Sequence, residues 1–213
     1  MNKNAKISII DYGVGNLHSL LKAVQNFAVN VKITDDSEEI ASSDALILPG
    51  VGAFQAGMEG LAVRGLTSTV KNFAASGKPI LGICLGAQIM LDKGFEFGEF
   101  EGLGLIPGKV VHFPTLAEKE KIPQIGWNDI YPPAEKGWSD PILKTIPVNS
   151  SVYFVHSYIL EPEKQENALA RAKYGGYEFC AAIRKGKIIG TQFHPEKSGK
   201  IGLEIIKNFV DSI

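Results

Sequence analysis

Net charge is nearly absent: 22 Lys and Arg stand against 23 Asp and Glu, leaving −1 over 213 residues. With no basic stripe interleaved by aromatics, the chain offers no electrostatic footprint for nucleic acid. Cysteine is as scarce. Cys84 and Cys180 are the two present, too few and too far apart for a disulfide framework or a spaced metal site. A thiol-using intracellular protein is the expectation. No apolar run approaches the roughly 20 residues of a membrane span. Residues Met1 to Lys6 lead straight into an apolar segment, with no signal-peptide core or cleavage site. Cytoplasmic residence without metal, cofactor or membrane contact is expected, with small molecules or proteins as partners.

What is present suffices for a core. Hydrophobic residues make up 45% and charged residues 21%, the balance of one globular domain over 1–213. Short apolar runs at Ile7–Ile10, Val31–Thr34, Asp44–Leu48 and Ile80–Ile83 read as strands. Helical spacing separates them: Leu17, Leu20, Leu21, Val24 and Phe27, then a stretch from about Ala53 to Ala75. Apolar strands without strict alternation, joined by helices, predict an α/β fold with a mostly parallel sheet covered on both faces. Ligands of such sheets bind outside the carboxyl ends of the strands. Farther on, Gly102–Phe113, Pro123–Tyr131, Ser151–Leu160 and Phe179–Phe193 read as mixed or antiparallel additions to that sheet. Gly199–Ile213 closes the chain as an amphipathic helix with Ile201, Ile205, Phe209 and Val210 inward.

Three motifs sit at strand ends. Gly82-Ile83-Cys84-Leu85-Gly86 is the cysteine form of the strand-turn-helix nucleophile elbow, where flanking glycines make room for a strained central residue. A small buried Cys after a strand fits the pentapeptide equally well, whereas Cys180 lacks any such frame and reads as packing. A thiolate attacking an amide needs a base held by a third group. His194-Pro195-Glu196 offers an imidazole, a stiff loop and a carboxylate, though alone it also reads as a surface turn. Leu48-Pro49-Gly50-Val51-Gly52 is a turn able to supply a backbone N–H to an oxyanion beside that of Leu85; alone it is an ordinary Pro-Gly turn. Gly13-Val14-Gly15 fails the dinucleotide fingerprint, because position 18 is His.

Taken together these motifs resemble the class I glutamine amidotransferases. With Asp11-Tyr12-Gly13-Val14-Gly15-Asn16, Gly126-Trp127-Asn128, Tyr153-Phe154-Val155-His156-Ser157-Tyr158 and Phe193-His194-Pro195-Glu196-Lys197-Ser198, the likeness extends to the glutaminase subunits of imidazole glycerol phosphate synthases, over nearly the whole chain. The resemblance implies a flavodoxin-like fold and hydrolysis of L-glutamine through a thioester at Cys84, with His194 as base and acid and Glu196 as its orienter. It implies an oxyanion hole at Val51, Gly52 and Leu85, and glutamine bound by Gly52, Gln88, Glu96 and the Ser157-Tyr158 backbone. It implies ammonia passed to a (β/α)₈-barrel cyclase in a heterodimer, with Asn16, Trp127, Tyr153 and Lys197 at the interface. The surroundings of Glu96 depart from the family's Ser-Glu-Glu. Gln124 stands where the family commonly has His, at a position read as bordering the partner, so a relative that aminates sugars for surface polysaccharides stays open. A cysteine hydrolase and a non-catalytic scaffold on the same fold are the remaining alternatives.

Overall fold

A computed structural model describes residues 5–28, 30–116, 120–134 and 137–213; the first four residues of the amino-terminal segment read above lie outside them. Strands β1 (Lys6–Ile10), β3 (Ala45–Leu48) and β4 (Ile80–Ile83) are buried from end to end, Lys6 apart. With water on neither face they have no reason to alternate, which is why they are continuous apolar runs. With β2 (Asn30–Thr34) they pair in parallel in the order β2-β1-β3-β4. Helices fill the crossovers: α1 (Leu17–Gln25), α2 (Ser37–Ser42), α3 (Phe54–Val63) and α4 (Leu66–Ala75). Alternate residues of the same strands feed two separate cores. Ile7, Ile9, Ile47 and Leu81 face one layer, and Leu46, Leu48 and Ile80 face the other, where α3 and α4 bury Phe54, Leu61, Leu66 and Val70.

Beyond β4 the sheet takes in β13 (Ile188–Thr191), parallel to β4 with Thr191 opposite Ile83. It continues through β12 (Tyr177–Lys185), β10 (Tyr158–Pro162), β7 (Gly108–His112), β5 (Lys93–Gly94) and β6 (Phe100–Glu101), with β11 (Ala168–Tyr174) paired to β12. Most of these pairings are antiparallel. Two strands stand apart: β8 (Gln124–Ile130) and β9 (Ser150–His156) form their own antiparallel ribbon. Three short or terminal helices complete the element order, α5 (Leu85–Gln88), α6 (Pro141–Lys144) and α7 (Gly199–Asp211). Among the described residues, no helix is long and apolar enough to cross a membrane.

Several sequence expectations are corrected. The helical stretch 53–75 is two helices, because Gly65 turns the chain at φ +68. The run 151–160 divides at Ser157 into β9 and β10, which belong to different sheets, and 179–193 is a hairpin rather than one strand. In 102–113 only Gly108–His112 is a strand. The β8–β9 ribbon is a sheet of its own, joined to β11 of the main sheet by the antiparallel bridge between Tyr131 and Arg171. In α7, Ile206 is buried with Ile205, Phe209 and Val210, while Ile201 is only partly covered.

Candidate active site

Between the end of β4 and the start of α5, Cys84 turns the chain alone, at φ +53 and ψ −109. Non-glycine residues avoid this region, and packing must hold it there. A Cβ on Gly86 would lie 1.7 Å from the Leu48 carbonyl oxygen, and one on Gly82 would lie 2.8 Å from the Ala87 nitrogen. Backbone approach therefore demands both glycines. The Cys84 N–H donates to the Thr191 carbonyl at 2.7 Å, stapling the tip of β4 to the tip of β13. Gln192, Phe193 and His194 follow directly, so the second motif is delivered to the first by strand register.

His194 is 1% exposed. Its Nδ1 is 2.8 Å from Glu196 Oε1, a pair whose side chains are 2% and 6% exposed. A carboxylate only accepts, so Nδ1 carries the proton and Nε2 is left for chemistry. Burial pushes this imidazole down, but the Cys84 sulfur and the Glu196 carboxylate together outweigh it and raise the group to about 9. Nε2 itself is buried without a hydrogen-bond partner, so the sulfur acts on it by proximity rather than through a closed bond. The Cys84 thiol points to the Val155 carbonyl at 3.8 Å.

The remaining substrate candidates converge nearby. Gln88, on the turn after Cys84, is buried and donates through Nε2 to the Tyr158 carbonyl and to Gln192 Oε1, both at 3.2 Å. Ser157 gives its carbonyl to the Phe113 N–H at 3.0 Å. Glu96 Oε2 accepts the Phe54 N–H at 2.7 Å, at the start of α3, which has no side-chain cap of its own. Its charge also reaches the Tyr158 hydroxyl, which burial, first, and Glu96, second, raise. Glu96 thus caps α3 just after the Gly52 turn, with its charge near enough to act on the Tyr158 hydroxyl.

The turn after β3 has one fixed half and one open half. Tyr12, fully buried, donates its hydroxyl to the Pro49 carbonyl, and a Cβ on Gly50 would lie 2.5 Å from that hydroxyl oxygen and 2.9 Å from Leu85 Cβ. Gly52, at φ +133, has nothing within 4 Å of where a Cβ would stand, and Val51 is 44% exposed. A groove of about 670 Å³ joins Val51 to Asn16 and His18. Asn16 is exposed and caps α1 by accepting the Ser19 N–H. A second cavity, of about 590 Å³, lies under β7, β10, β11 and β12 and touches none of Cys84, His194 and Glu196.

Trp127, Tyr153 and Lys197 form one surface patch. The two rings meet edge to face at 6.2 Å, and Lys197 Nζ lies 5.9 Å from the Tyr153 centroid. Trp127 is 58% exposed, and Ile125 beside it 63%. Gln124, by contrast, is 2% exposed and faces inward opposite His156, which corrects the expectation that it borders a partner. Two site residues escaped the sequence reading. Gln192 is completely buried and donates to Cys84 Sγ at 3.8 Å; its signal was a lone amide closing an apolar strand two residues before His194. Tyr12 lay inside a turn-rich segment with nothing to mark its hydroxyl.

Residues 8–213 match the family model described as glutamine amidotransferase class-I. Among similar proteins, imidazole glycerol phosphate synthase subunit HisH 1 of Legionella pneumophila (strain Lens) is 50% identical over 210 residues, covering 97% of this chain and 99% of the relative. Subunit HisH of Methanosarcina barkeri is 47% identical over 208 residues (97% and 98%), and that of Syntrophotalea carbinolica 44% over 211 (96% and 99%). Among solved structures, a putative GMP synthase component from Thermoplasma acidophilum superposes with TM-score 0.69 at 22% identity, covering 98% of this chain and 93% of that one. PurLQS from Thermotoga maritima gives 0.72 at 18%, covering 98% and 99%. These two speak for the fold.

Proposed function

Since the chain belongs to the class I glutamine amidotransferases and, within them, to the HisH glutaminase subunits of imidazole glycerol phosphate synthase, we propose that Cys84, His194 and Glu196 are the residues with which it hydrolyses glutamine. The observation that carries this assignment is the convergence of a strained, glycine-flanked thiol and a carboxylate-held imidazole across the paired tips of β4 and β13.

The raised imidazole keeps a proton on His194 at neutral pH, ready for the leaving group. The Cys84 thiolate attacks the side-chain amide carbon of glutamine, and the carbonyl π-pair moves onto oxygen. The Leu85 N–H and an N–H from the Val51-Gly52 turn receive that oxyanion. As the C–N bond breaks, the His194 Nε2 proton passes to the leaving nitrogen and ammonia departs, leaving a thioester. His194 then takes a proton from water, the hydroxide adds to the thioester, and collapse releases glutamate and the thiolate. Gln88, Glu96, Gly52 and the Ser157-Tyr158 segment line the space for the substrate's amino-acid end.

The ammonia must reach its acceptor without protonation in bulk water. A (β/α)₈-barrel cyclase docked on Asn16, Trp127, Tyr153 and Lys197, in a cytoplasmic heterodimer, is the partner this reading calls for. The sugar-aminating alternative rested on Gln124 at a docking surface, and a buried Gln124 takes no part in one. The test is glutamate release by the chain with its native partner, with and without the acceptor substrate. Stimulation by both is expected, and Cys84→Ala should release none; glutamate production by that variant refutes the mechanism.

A further inference from the structure

A chain of polar groups beside Cys84 has its direction set by one atom that cannot reorient. The main-chain carbonyl of Tyr158 only accepts. It takes one hydrogen from Gln88 Nε2 at 3.2 Å, and its second lone pair takes the His156 Nδ1 hydrogen at 2.8 Å. Gln88 Nε2 must then be its amide nitrogen and not its oxygen, since two carbonyl oxygens at that distance would repel. The other hydrogen of the same nitrogen goes to Gln192, 3.2 Å away, so the atom Gln192 presents there must be its oxygen. Its nitrogen is left on the other side, 3.8 Å from Cys84 Sγ. Rotating either amide by 180° would bring like groups face to face. The polarity of the chain is thus fixed from the backbone outward, and its free end is a hydrogen-bond donor aimed at the sulfur.

Gln192 is 0% exposed and Gln88 5%, so water does not compete for either amide. The Gln192 main-chain N–H is separately held by the Ala181 carbonyl at 2.9 Å, which anchors the residue beside the elbow. A neutral thiol gains little from an added donor, because sulfur is a weak acceptor; a thiolate gains much more.

We infer that Gln192 is a further catalytic residue, whose side-chain N–H donates to the Cys84 thiolate and whose orientation is dictated through Gln88 by the Tyr158 carbonyl. The donor keeps its proton throughout. It supports the anion before attack and after thioester collapse, a role separate from the proton traffic through His194. The same polarity leaves Gln88 Oε1 as the acceptor for a donor on the substrate, so occupation of the glutamine site and support of the sulfur share one network. The inference rests on Cys84 being the nucleophile.

The experiment follows iodoacetamide alkylation of Cys84 against pH, read by peptide mass spectrometry, in the full-length chain carrying Gln192→Met or Gln192→Glu. Methionine keeps the length and removes the donor; glutamate keeps the shape and substitutes an acceptor. Expected for Gln192→Met is alkylation at pH 7 slowed roughly tenfold, with the curve moved about one pH unit upward, kcat falling alongside and KM changing little. Gln192→Glu should move the curve further. Wild-type alkylation profiles in both variants would overturn the inference, and so would loss of folding in both, which would make Gln192 a packing residue. Cys84→Ala separates this from the wider reading. If that variant releases no glutamate while the Gln192 profiles match wild type, only the inference falls; if it still hydrolyses glutamine, the nucleophile assignment falls first.

Discussion

The carbonyl of Tyr153 accepts the main-chain N–H of His194 at 2.9 Å, and the Tyr153 N–H donates to Ser198 Oγ, whose own hydroxyl donates to the His194 carbonyl. The loop holding the imidazole therefore hangs from the edge of β9. The outer side of that same edge carries the Tyr153 ring, with Trp127 and Lys197 beside it. The patch and the His194 loop are thus joined by backbone hydrogen bonds through Tyr153. Trp127 is the side chain to test, since it is 58% exposed. Trp127→Ala should weaken partner binding roughly 30-fold, or ~2 kcal/mol, while the melting temperature of the isolated chain moves by no more than about 2 °C. Calorimetric titration with the proposed barrel partner checks this, and undiminished affinity would place the interface elsewhere.

The triad should behave as a unit. His194→Ala is expected to fall close to Cys84→Ala, each leaving less than about one part in a thousand of wild-type turnover. Cys180→Ala should leave turnover within about twofold. Its thiol is enclosed, and burial pushes it up to about 12, out of reach of useful ionisation. Steady-state glutamate release on the three variants decides the matter; a large loss in the Cys180 variant would mean that the wrong cysteine has been assigned.

Glu196 acts on His194 alone if it only orients the ring, so Glu196→Gln should keep more activity than His194→Ala. It should also leave a mark on stability. The folded imidazole, raised to about 9 against an unfolded value near 6.5, binds its proton more tightly when folded. Its contribution is complete below pH 6.5 and is lost as pH rises through 9. Urea midpoints should decline over that window in wild type and decline less in Glu196→Gln. Parallel curves would show that the carboxylate does not hold the proton.

The parallel half of the fold was legible because its strands are buried on both faces, and an apolar run bounded by Pro49-Gly50 or Lys78-Pro79 admits few other readings. The elbow was legible for a related reason: a strained nucleophile imposes glycine at two fixed offsets, and Gly82 and Gly86 each face backbone that a Cβ would strike. The antiparallel half resisted. Ser150–His156 and Tyr158–Pro162 are separated by one residue in sequence and similar in composition, yet they enter different sheets. Local pattern carries nothing about which partner a strand will find. Gln124 and Gln192 were opaque because a buried glutamine is written with the same letter as an exposed one, and only the neighbours across the strand reveal its duty.

Two glycines separate packing from chemistry. Gly86→Ala places a methyl 1.7 Å from the Leu48 carbonyl oxygen, which no side-chain motion relieves, so a loss of at least ~3 kcal/mol in folding stability is expected. Gly52→Ala meets no neighbour, but it asks alanine to hold φ +133, at a cost of ~1–3 kcal/mol. The turn will relax instead. If it supplies an oxyanion donor, kcat should drop about a hundredfold. Denaturation and kinetics measured on both variants give the comparison, and near-normal kcat in Gly52→Ala would remove the turn from the oxyanion hole.

His156 gives a pH response of the opposite sign to that of His194. It sits against Phe113, Phe154 and Phe179, with ring centroids 5.1–5.5 Å away, and its Nε2 has no partner. Burial, with a smaller push from His194, lowers it to about 4, against a small opposing lift from its hydrogen bond to the Tyr158 carbonyl. The unfolded chain therefore binds this proton more readily than the folded one. The contribution to stability is present above pH 6.5 and drains away as pH falls toward 4, by at most roughly 3 kcal/mol. His156→Asn places an amide donor where Nδ1 stood and cannot titrate. That variant should start less stable, having lost ring contacts, yet lose less on going from pH 7 to pH 5 than wild type does. Equal slopes in the two proteins would mean that the ring finds solvent or a counter-charge on protonation, and that the aromatic enclosure is looser than its geometry indicates.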